Sequence, residues 1–276
     1  MKKAGILIAL LLTLVLVSGC EHTKGQGSAV AQPVSALDRI SQSGQLVVGT
    51  AGSMPPMNMT TRDGEVIGFE PDMAKQMAAA MGVKATFKTM PFADLLPALE
   101  AGKVDMVMSS MTITGKRNMK VAFVGPYFIS GKTFLTTEKW VNSAKQPEEV
   151  NSPGTKLTAL RGSTSQQFVE GVFPKATLLL GKDYAESIDM VRQGKADAMI
   201  ADYPICILSV IRYPDDNLIS VVPPYTYEPI GVAIQKSDTL LANWLENFLG
   251  ALAGSGDLNE LQEKWFKGGE WINKLP

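Results

Sequence analysis

Histidine and cysteine are nearly absent from this chain of 276 residues. The one histidine, His22, and the first of two cysteines, Cys20, fall close to the N-terminus, while Cys206 lies in the apolar run "PICILSVI". A Ser-His-Asp or Cys-His nucleophile system, or a histidine-based metal site, therefore cannot be built in the folded part. We expect no internal disulfide, no metal and no other cofactor, and we interpret Cys206 as a small core residue.

An excess of charge of either sign is also missing. The chain has 26 basic and 27 acidic residues, a formal net charge of -1, and no block of basic residues. Nucleic-acid binding is therefore not expected. Hydrophobic residues make up 45% of the chain and charged residues 19%, a composition that can bury a core. The length fits one large or two modest domains.

The N-terminus, "MKKAGILIALLLTLVLVSGC", has the three parts of a secretory signal sequence: two lysines, an apolar run over 4–17, and small residues. The apolar run is short for a membrane span. The ending "LVSGC" resembles a bacterial lipobox, which predicts a signal peptide over 1–19 and Cys20 as the lipidated first residue. An ordinary signal peptide cleaved elsewhere is the alternative. Residues 20–34 are small and polar, as expected of a flexible tether.

Two later segments repeat the same order of strands and helices. The repeat is sharpest where "ALEAGKVDMVMSS" matches "MVRQGKADAMIAD". In both, a helix ends at glycine, and Asp105 or Asp197 opens an apolar strand. Strands that alternate with helices through short turns predict an α/β fold of two lobes, each a mostly parallel sheet with helices on both faces.

The segment after the second repeat is expected to return to the first lobe. A strand, "YEPIGVAIQKSD", precedes amphipathic helices there. The chain would then cross between the lobes near 134–137 and near 223–228, and the two crossings would form a hinge. We predict that lobe 1 contains 35–136 and 224–276 and that lobe 2 contains 137–223.

Hydroxyl groups and an arginine follow one strand of the first repeat. Ser109 and Ser110 end the strand, Thr112 follows, and Thr114 is a predicted helix cap. Ligands bind beyond the carboxyl ends of strands in open parallel sheets. Arg117 would lie in the first helical turn, where the helix dipole favours acids, so its presence predicts an arriving anion. The alternative is a surface arginine in a minor salt bridge.

The second repeat supplies polar groups at the equivalent place. Ser163 and Thr164 follow a strand and begin a helix, whose free N–H groups suit an anion. Asp202 ends a strand with no basic neighbour nearby in sequence, which predicts an acceptor for an ammonium group. It could instead cap the turn before Pro204. Anion binders on both lobes with one ammonium acceptor indicate an α-amino acid as ligand.

Several stretches taken in order resemble one family. They are "GFEPDMAKQMAAAMG", "LLPALEAGKVDMVMSSMTITGKR", "VAFVGPYFISGKTFL", "LRGSTSQQF", "QGKADAMIADYP" and "PIGVAIQKSD". Over 46–266 the chain resembles the bacterial extracellular solute-binding family 3, the polar amino-acid-binding proteins of ABC transporters. The resemblance implies a two-lobed periplasmic-binding-protein fold of type II, whose lobes close over the ligand about two hinge crossings.

The same resemblance implies roles for individual residues. Ser110 and Thr112 would contact the ligand carboxylate beside Arg117, Thr164 would contact it from the other lobe, and Asp202 would take the ammonium. This family usually places an acidic or polar residue and an aromatic one just after the first strand.

The loop after the first strand departs from that pattern. It reads "GTAGSMPPMNM", with Ala51, Met54 and Met57 at the relevant places, and Phe92 is the remaining aromatic candidate for the pocket wall. Methionine adapts to irregular apolar shapes. An apolar or mixed ligand side chain is therefore favoured over a cationic one.

The resemblance implies a function without catalysis. The chain would be the substrate-binding lipoprotein of an ABC importer, a monomer anchored through Cys20 in the periplasm or on the outer face of the cytoplasmic membrane. Its closed lobes would dock on an ABC permease. Two alternatives stay open: a dehydratase acting on arogenate or prephenate, with Glu228 or Asp202 as proton donor, and the ligand-sensing subunit of a signalling system.

Overall fold

A computed structural model describes residues 35–221 and 223–276. The signal peptide over 1–19, the lipidation of Cys20 and the tether over 20–34 lie outside these residues. The described residues form one compact unit. In the described ranges, no helix combines the length and apolar character that crossing a membrane requires.

Strands and helices alternate along most of the described chain. The strands are β1 (Gln45–Thr50), β2 (Ser53–Met54), β3 (Asn58–Thr60), β4 (Val66–Ile67), β5 (Lys84–Thr89), β6 (Met106–Val107), β7 (Val121–Ser130), β8 (Lys132–Thr136), β9 (Lys156–Leu160), β10 (Thr177–Gly181), β11 (Ala198–Asp202), β12 (Ile219–Ser220) and β13 (Glu228–Gln235). The helices are α1 (Ala36–Ser43), α2 (Phe69–Ala80), α3 (Leu95–Glu100), α4 (Gly115–Asn118), α5 (Lys139–Ser143), α6 (Pro147–Val150), α7 (Thr164–Val172), α8 (Tyr184–Arg192), α9 (Tyr203–Arg212), α10 (Thr239–Ser255) and α11 (Asp257–Gln262).

The first sheet has the order β5-β1-β6-β13-β7. The strands β5, β1 and β6 from the first repeat are parallel, and β13 pairs antiparallel to β6 and β7. Successive side chains of a strand point to opposite faces. Leu46 and Val48 of β1 accordingly pack in the core beneath α1, α2 and α10, while Val47 packs on the face that α3 covers. Helices therefore cover both faces, as predicted.

The second sheet has the order β10-β9-β11-β8-β12. Its repeat strands β10, β9 and β11 are again parallel, and β8 and β12 add antiparallel pairs. Strands β2, β3 and β4 form a small antiparallel sheet in the segment after β1.

The two repeats share one hydrogen-bonding device. The Asp105 carboxylate accepts from the N–H of Val47 at 2.9 Å, and the Asp197 carboxylate accepts from the N–H of Lys156 at 2.7 Å. Each aspartate thus ties the start of one parallel strand to its neighbour. Their role is the alignment of strands.

The chain changes sheet at a single glycine. Strand β7 ends at Ser130 in the first sheet, and β8 begins at Lys132 in the second. A Cβ atom on Gly131 would lie 2.4 Å from the carbonyl oxygen of Thr226 and 2.6 Å from Pro224, so the two crossing segments touch there. The sequence predicts this crossing near 134–137, because an unbroken extended run gives no turn signal. The sheet pairing instead assigns all of β8 to the second lobe.

An apolar cluster continues from one lobe into the other. Met54, Phe92 and Leu95 of the first lobe pack in the same cluster as Leu160 and Tyr184 of the second. The two lobes therefore contact each other directly, and the carboxyl ends of their parallel strands face a common crevice.

Candidate functional site

Arg117 lies at the crevice on the first lobe. Thr114 caps α4, as predicted, because its hydroxyl accepts from the Arg117 N–H at 3.2 Å. The guanidinium donates to the carbonyl oxygens of Thr112 at 2.9 Å and Gly162 at 3.3 Å, and it lies 5.6 Å from the centre of the Phe92 ring. Gly162 belongs to the second lobe. Arg117 therefore connects the lobes where an anion would arrive.

The charge of Arg117 is set by burial and by two carboxylates. The residue is only 9% exposed. Burial lowers its pKa to about 10, while Asp202 and Glu228 act in the opposite direction. The guanidinium is thus protonated at neutral pH and suited to a bidentate bond with a carboxylate.

Thr164 begins α7 on the second lobe and reaches the first. Its hydroxyl lies 3.3 Å from the hydroxyl of Thr112 and donates to the Glu228 carboxylate at 3.2 Å. Ser163, in contrast, is occupied by the helix start. Its hydroxyl accepts from the Gln166 N–H at 3.1 Å and donates to its own strand, so it acts as the α7 cap.

Ser110 is held in an unusual backbone conformation by a buried carboxylate. Its φ is +47°, in the left-handed region that non-glycine residues rarely adopt. Its N–H donates to Glu70 at 2.7 Å, and the Tyr127 hydroxyl donates to the same oxygen. The Asn58 amide donates to the other oxygen at 2.6 Å. Burial raises the pKa of Glu70, and these three hydrogen bonds oppose that rise.

Asp202 has a basic neighbour that the sequence did not reveal. The Lys132 ammonium lies 2.5 Å from Asp202 Oδ1 and 3.4 Å from Glu228 Oε2. The two residues are brought together because β8 and β11 pair with Lys132 opposite Asp202. Asp202 has no basic residue nearby in sequence, but the sheet pairing supplies a cationic partner from 70 residues away. Its carboxylate makes no cap hydrogen bond at the start of α9, so the alternative reading as a turn cap does not describe its side chain.

A small cavity of about 10 Å³ lies between the lobes beside these groups. Ser110, Ser130 and Asp202 supply its polar wall, and its apolar wall includes Met57 and Phe128. The Ser130 hydroxyl is buried without a hydrogen-bond partner among the described residues. A cavity of this size holds at most one water molecule, so an amino acid would enter only if the lobes moved apart.

The predicted site residues are thus arranged in two groups. Ser110 and Asp202 line the cavity, and Thr112, Arg117 and Thr164 form the polar contact between lobes. The two apolar candidates do not line the cavity. Met54, 1% exposed, and Phe92, 6% exposed, both belong to the interlobe apolar cluster, and Phe92 also lies over Arg117. Met57 takes the place in the cavity wall that the sequence suggested for Met54.

A family model describes most of this chain. Residues 46–268 match the bacterial extracellular solute-binding proteins, family 3. The chain belongs to this family. The type II two-lobed fold expected from the sequence is confirmed, because the similar solved structures are amino-acid-binding proteins of that kind.

Individual relatives of this solute-binding protein have different functions. The chain is 29% identical to an ABC transporter glutamine-binding protein of Bacillus subtilis, over 97% of this chain and 98% of that one. It is 26% identical to the cyclohexadienyl dehydratase of Pseudomonas aeruginosa, over 92% and 94%. A solved structure from Wolinella succinogenes, a putative ABC transporter binding component complexed with lysine, is 34% identical with a TM-score of 0.80, covering 84% of this chain and 99% of that one.

Sequence reasoning missed two charged residues of this solute-binding protein. Lys132 stands in the apolar run "SGKTFL", and a lysine there needs a carboxylate partner if it is buried. The sequence thus indicated that Lys132 needs a carboxylate partner, but it did not show which carboxylate that is. Glu70 stands in "GFEPDM" at a helix start, where an acid is common for local reasons, so nothing marked it as buried. For Glu228, the sequence suggests only the role of proton donor in the enzyme alternative.

Proposed function

We propose that this solute-binding protein is the substrate-binding lipoprotein of an ABC importer and binds an α-amino acid between its closing lobes without chemistry. The observation that carries the proposal is the meeting of opposite charges at one crevice. Arg117 of the first lobe donates to the Gly162 carbonyl of the second lobe, and Asp202 of the second lobe lines one cavity with Ser110 of the first. Relatives that bind glutamine and lysine support the choice of ligand class.

Each end of an amino acid has a partner in this arrangement. The α-carboxylate would bind Arg117 and the hydroxyls of Thr112 and Thr164, which lie on opposite lobes. The α-ammonium would bind Asp202 Oδ2, since Oδ1 is held by Lys132. A ligand that contacts both lobes at once stabilises their closed arrangement.

Replacement of Arg117 tests the proposal directly. The twenty amino acids are first screened by thermal shift, because a ligand that binds the folded state raises the Tm. We expect at least one to do so and Arg117→Ala to weaken its binding by about 2–5 kcal/mol in calorimetry, since the buried carboxylate loses its charged partner.

The control for this experiment is Arg62→Ala, which removes an exposed arginine of the same lobe and should leave binding unchanged. Near-normal affinity in a folded Arg117→Ala protein would refute the assignment of the carboxylate site.

The cellular setting in this proposal comes from the sequence and the family. Residues 1–19 would direct export, Cys20 would carry lipid, and the protein would work as a monomer in the periplasm or on the outer face of the cytoplasmic membrane. Extracellular solute-binding proteins of this family support an extracytoplasmic location. The partner would be an ABC permease in that membrane.

A dehydratase is the second candidate, and the Pseudomonas relative favours it together with two buried carboxylates at the crevice. A general acid must donate a proton to its substrate. Glu228 instead accepts hydrogen bonds from Thr164 and Thr226, and Asp202 Oδ1 accepts from Lys132. We therefore rank binding first. Prephenate incubated at high protein concentration and followed by absorbance should show no turnover, and measurable turnover would reverse this ranking.

A further inference from the structure

The Lys132 ammonium is buried at the same crevice, with an exposed fraction of 2% for the residue. It lies between the carboxylates of Asp202, at 2.5 Å, and Glu228, at 3.4 Å. Asp202 comes from the second sheet, and Glu228 opens β13 in the first. The chain thus carries its own ammonium group at the place where the acceptors for ligand amines lie.

The carboxylate oxygens near the crevice can be counted one by one. Glu228 Oε1 accepts from Thr226 at 3.0 Å, and its Oε2 accepts from Thr164 and faces Lys132. Both oxygens of Glu70 accept hydrogen bonds from their own lobe. Among the described residues, Asp202 Oδ2 is the carboxylate oxygen at this crevice that remains without a partner. This oxygen can accept a hydrogen bond from one ammonium group.

We infer that Lys132 is a specificity-determining residue that selects amino acids with uncharged side chains and rejects cationic ones. This inference rests on the proposed function, because it assumes that the α-ammonium of the ligand takes Asp202 Oδ2. A ligand with a second cationic group would then bring it into a closed site with no acceptor left, close to the Lys132 ammonium. An unpaired buried charge is strongly unfavourable.

Ligands with acidic side chains are disfavoured by the balance of charges at the crevice. Arg117 and Lys132 supply two positive charges, and Asp202 and Glu228 supply two negative ones. A zwitterion with an uncharged side chain leaves this balance unchanged, whereas a second carboxylate would compete with Glu228 for an ammonium that is already shared. The apolar wall of the cavity, which includes Met57 and Phe128, also suits an uncharged side chain.

The test compares five named probes on the purified protein by calorimetry: leucine, glutamine, glutamate, lysine and arginine. We expect leucine or glutamine to bind at least tenfold more tightly than lysine or arginine. In Lys132→Met the carboxylates of Asp202 and Glu228 lose their resident cation. Arginine and lysine should therefore gain at least tenfold in affinity, and the preference for uncharged probes should shrink or reverse.

Two matched variants separate this effect from general damage. Lys175→Met removes an exposed lysine of the same lobe and should leave the order of affinities unchanged. The double variant Lys132→Met/Glu228→Gln removes one charge of each sign, so cationic probes should gain nothing. Circular dichroism establishes whether each variant folds. If Lys132→Met does not fold, the order of affinities in the wild type and the affinities of the double variant still test the inference.

The outcomes also distinguish failure of the specificity inference from failure of the proposed function. Binding of arginine or lysine by the wild type as tight as that of the uncharged probes overturns the specificity inference and leaves the proposed function standing. An unchanged order of affinities in folded Lys132→Met would likewise overturn the specificity inference and leave the proposed function standing. If none of the five probes binds the wild type, both the inference and the α-amino-acid assignment fail.

Discussion

Glu70 is a buried carboxylate that positions a site residue without contact with the crevice itself. Its oxygens accept from the Ser110 N–H, the Tyr127 hydroxyl and the Asn58 amide, so the residue serves only as an acceptor. A left-handed backbone at a serine costs about 1–3 kcal/mol and persists only when its surroundings enforce it. The Glu70 bond to the Ser110 N–H is part of that enforcement.

Glu70→Gln should therefore cost stability although it changes one atom. The new amide nitrogen would face a donor, and Asn58 cannot rotate to help because its own oxygen accepts from the Gly52 N–H at 2.8 Å. We expect a loss of about 1–3 kcal/mol in the free energy of unfolding, measured with urea at a pH above the folded pKa of Glu70, where the carboxylate only accepts hydrogen bonds. Weaker binding of the best amino-acid ligand should accompany it, since Ser110 loses its anchor.

The same variant has a defined pH dependence. Burial raises the pKa of Glu70 in the folded protein above its ordinary value of 4.5. Between pH 4.5 and the folded pKa, the folded state binds more protons than the unfolded one. The free energy of unfolding therefore falls as the pH rises through this range. Glutamine does not titrate. The stability difference between wild type and Glu70→Gln should therefore narrow as the pH rises from 4.5 through the folded pKa, and a difference that widens from pH 5 to pH 8 contradicts this account.

Which site residues the sequence reveals depends on how far their partners lie along the chain. Ser110, Thr112 and Arg117 could be placed because strand end, cap and helix start follow one another within a few residues. The pair of Lys132 and Asp202 could not, because 70 residues separate them. Their contact requires the order of strands in the second sheet, which hydrophobic periodicity does not contain.

At the scale of elements, the start of α7 is the part of the second lobe that fits most closely against the first. Gly162, just before the α7 cap, has a φ of +77°. A Cβ atom there would lie 3.0 Å from the Cβ of Ala93 and 3.2 Å from its Cα. The Gly162 carbonyl also accepts from Arg117. A side chain at this position would push the two lobes apart at the proposed anion site.

Gly162→Ala and Gly194→Ala form a matched pair that isolates this contact. Gly194 has a similar φ of +65°, but a Cβ there meets nothing within 4 Å. Each substitution should cost about 1–2 kcal/mol in the free energy of unfolding, the usual penalty for a left-handed side-chain-bearing residue. Only Gly162→Ala should also weaken amino-acid binding, by tenfold or more in calorimetry. Equal affinities in the two variants would show that the close approach to Ala93 has no part in closure.

Strands bounded by local turn signals could be predicted from the sequence. Strands defined by long-range pairing were harder to predict. The strands "QLVVGT" and "KLTAL" coincide with β1 and β9, because glycine turns and alternating apolar residues bound them. Strand β8 follows β7 with only Gly131 between them, so its sequence does not show that it joins a different sheet. The order of the repeats predicts that the segment after the second repeat returns to the first lobe, and β13 lies in the first sheet.

At the scale of the whole molecule, the contacts between lobes are of two kinds. The apolar cluster through Phe92 and Tyr184 is continuous, whereas the polar contacts among Thr112, Arg117 and Thr164 surround the site. Within the described residues, two short chain crossings join the lobes covalently, one at Gly131 and one before β13. Rotation about these crossings would open the polar contacts and leave each sheet intact, which is the hinge motion that this fold permits.

The size of the cavity predicts that the lobes separate before ligand enters. Its volume of about 10 Å³ is no more than the roughly 10–15 Å³ that a single water molecule needs by the same measure. Spin labels on Lys116→Cys and Gln167→Cys, exposed positions on either side of the crevice, report the lobe separation in a Cys20→Ser background, where Cys206 is fully buried. Added glutamine should shift the distance distribution toward its shorter values. A control pair within the first lobe, Lys84→Cys and Lys116→Cys, should not change. A cross-lobe distribution that binding leaves unaltered would mean that the amino acid enters without hinge motion.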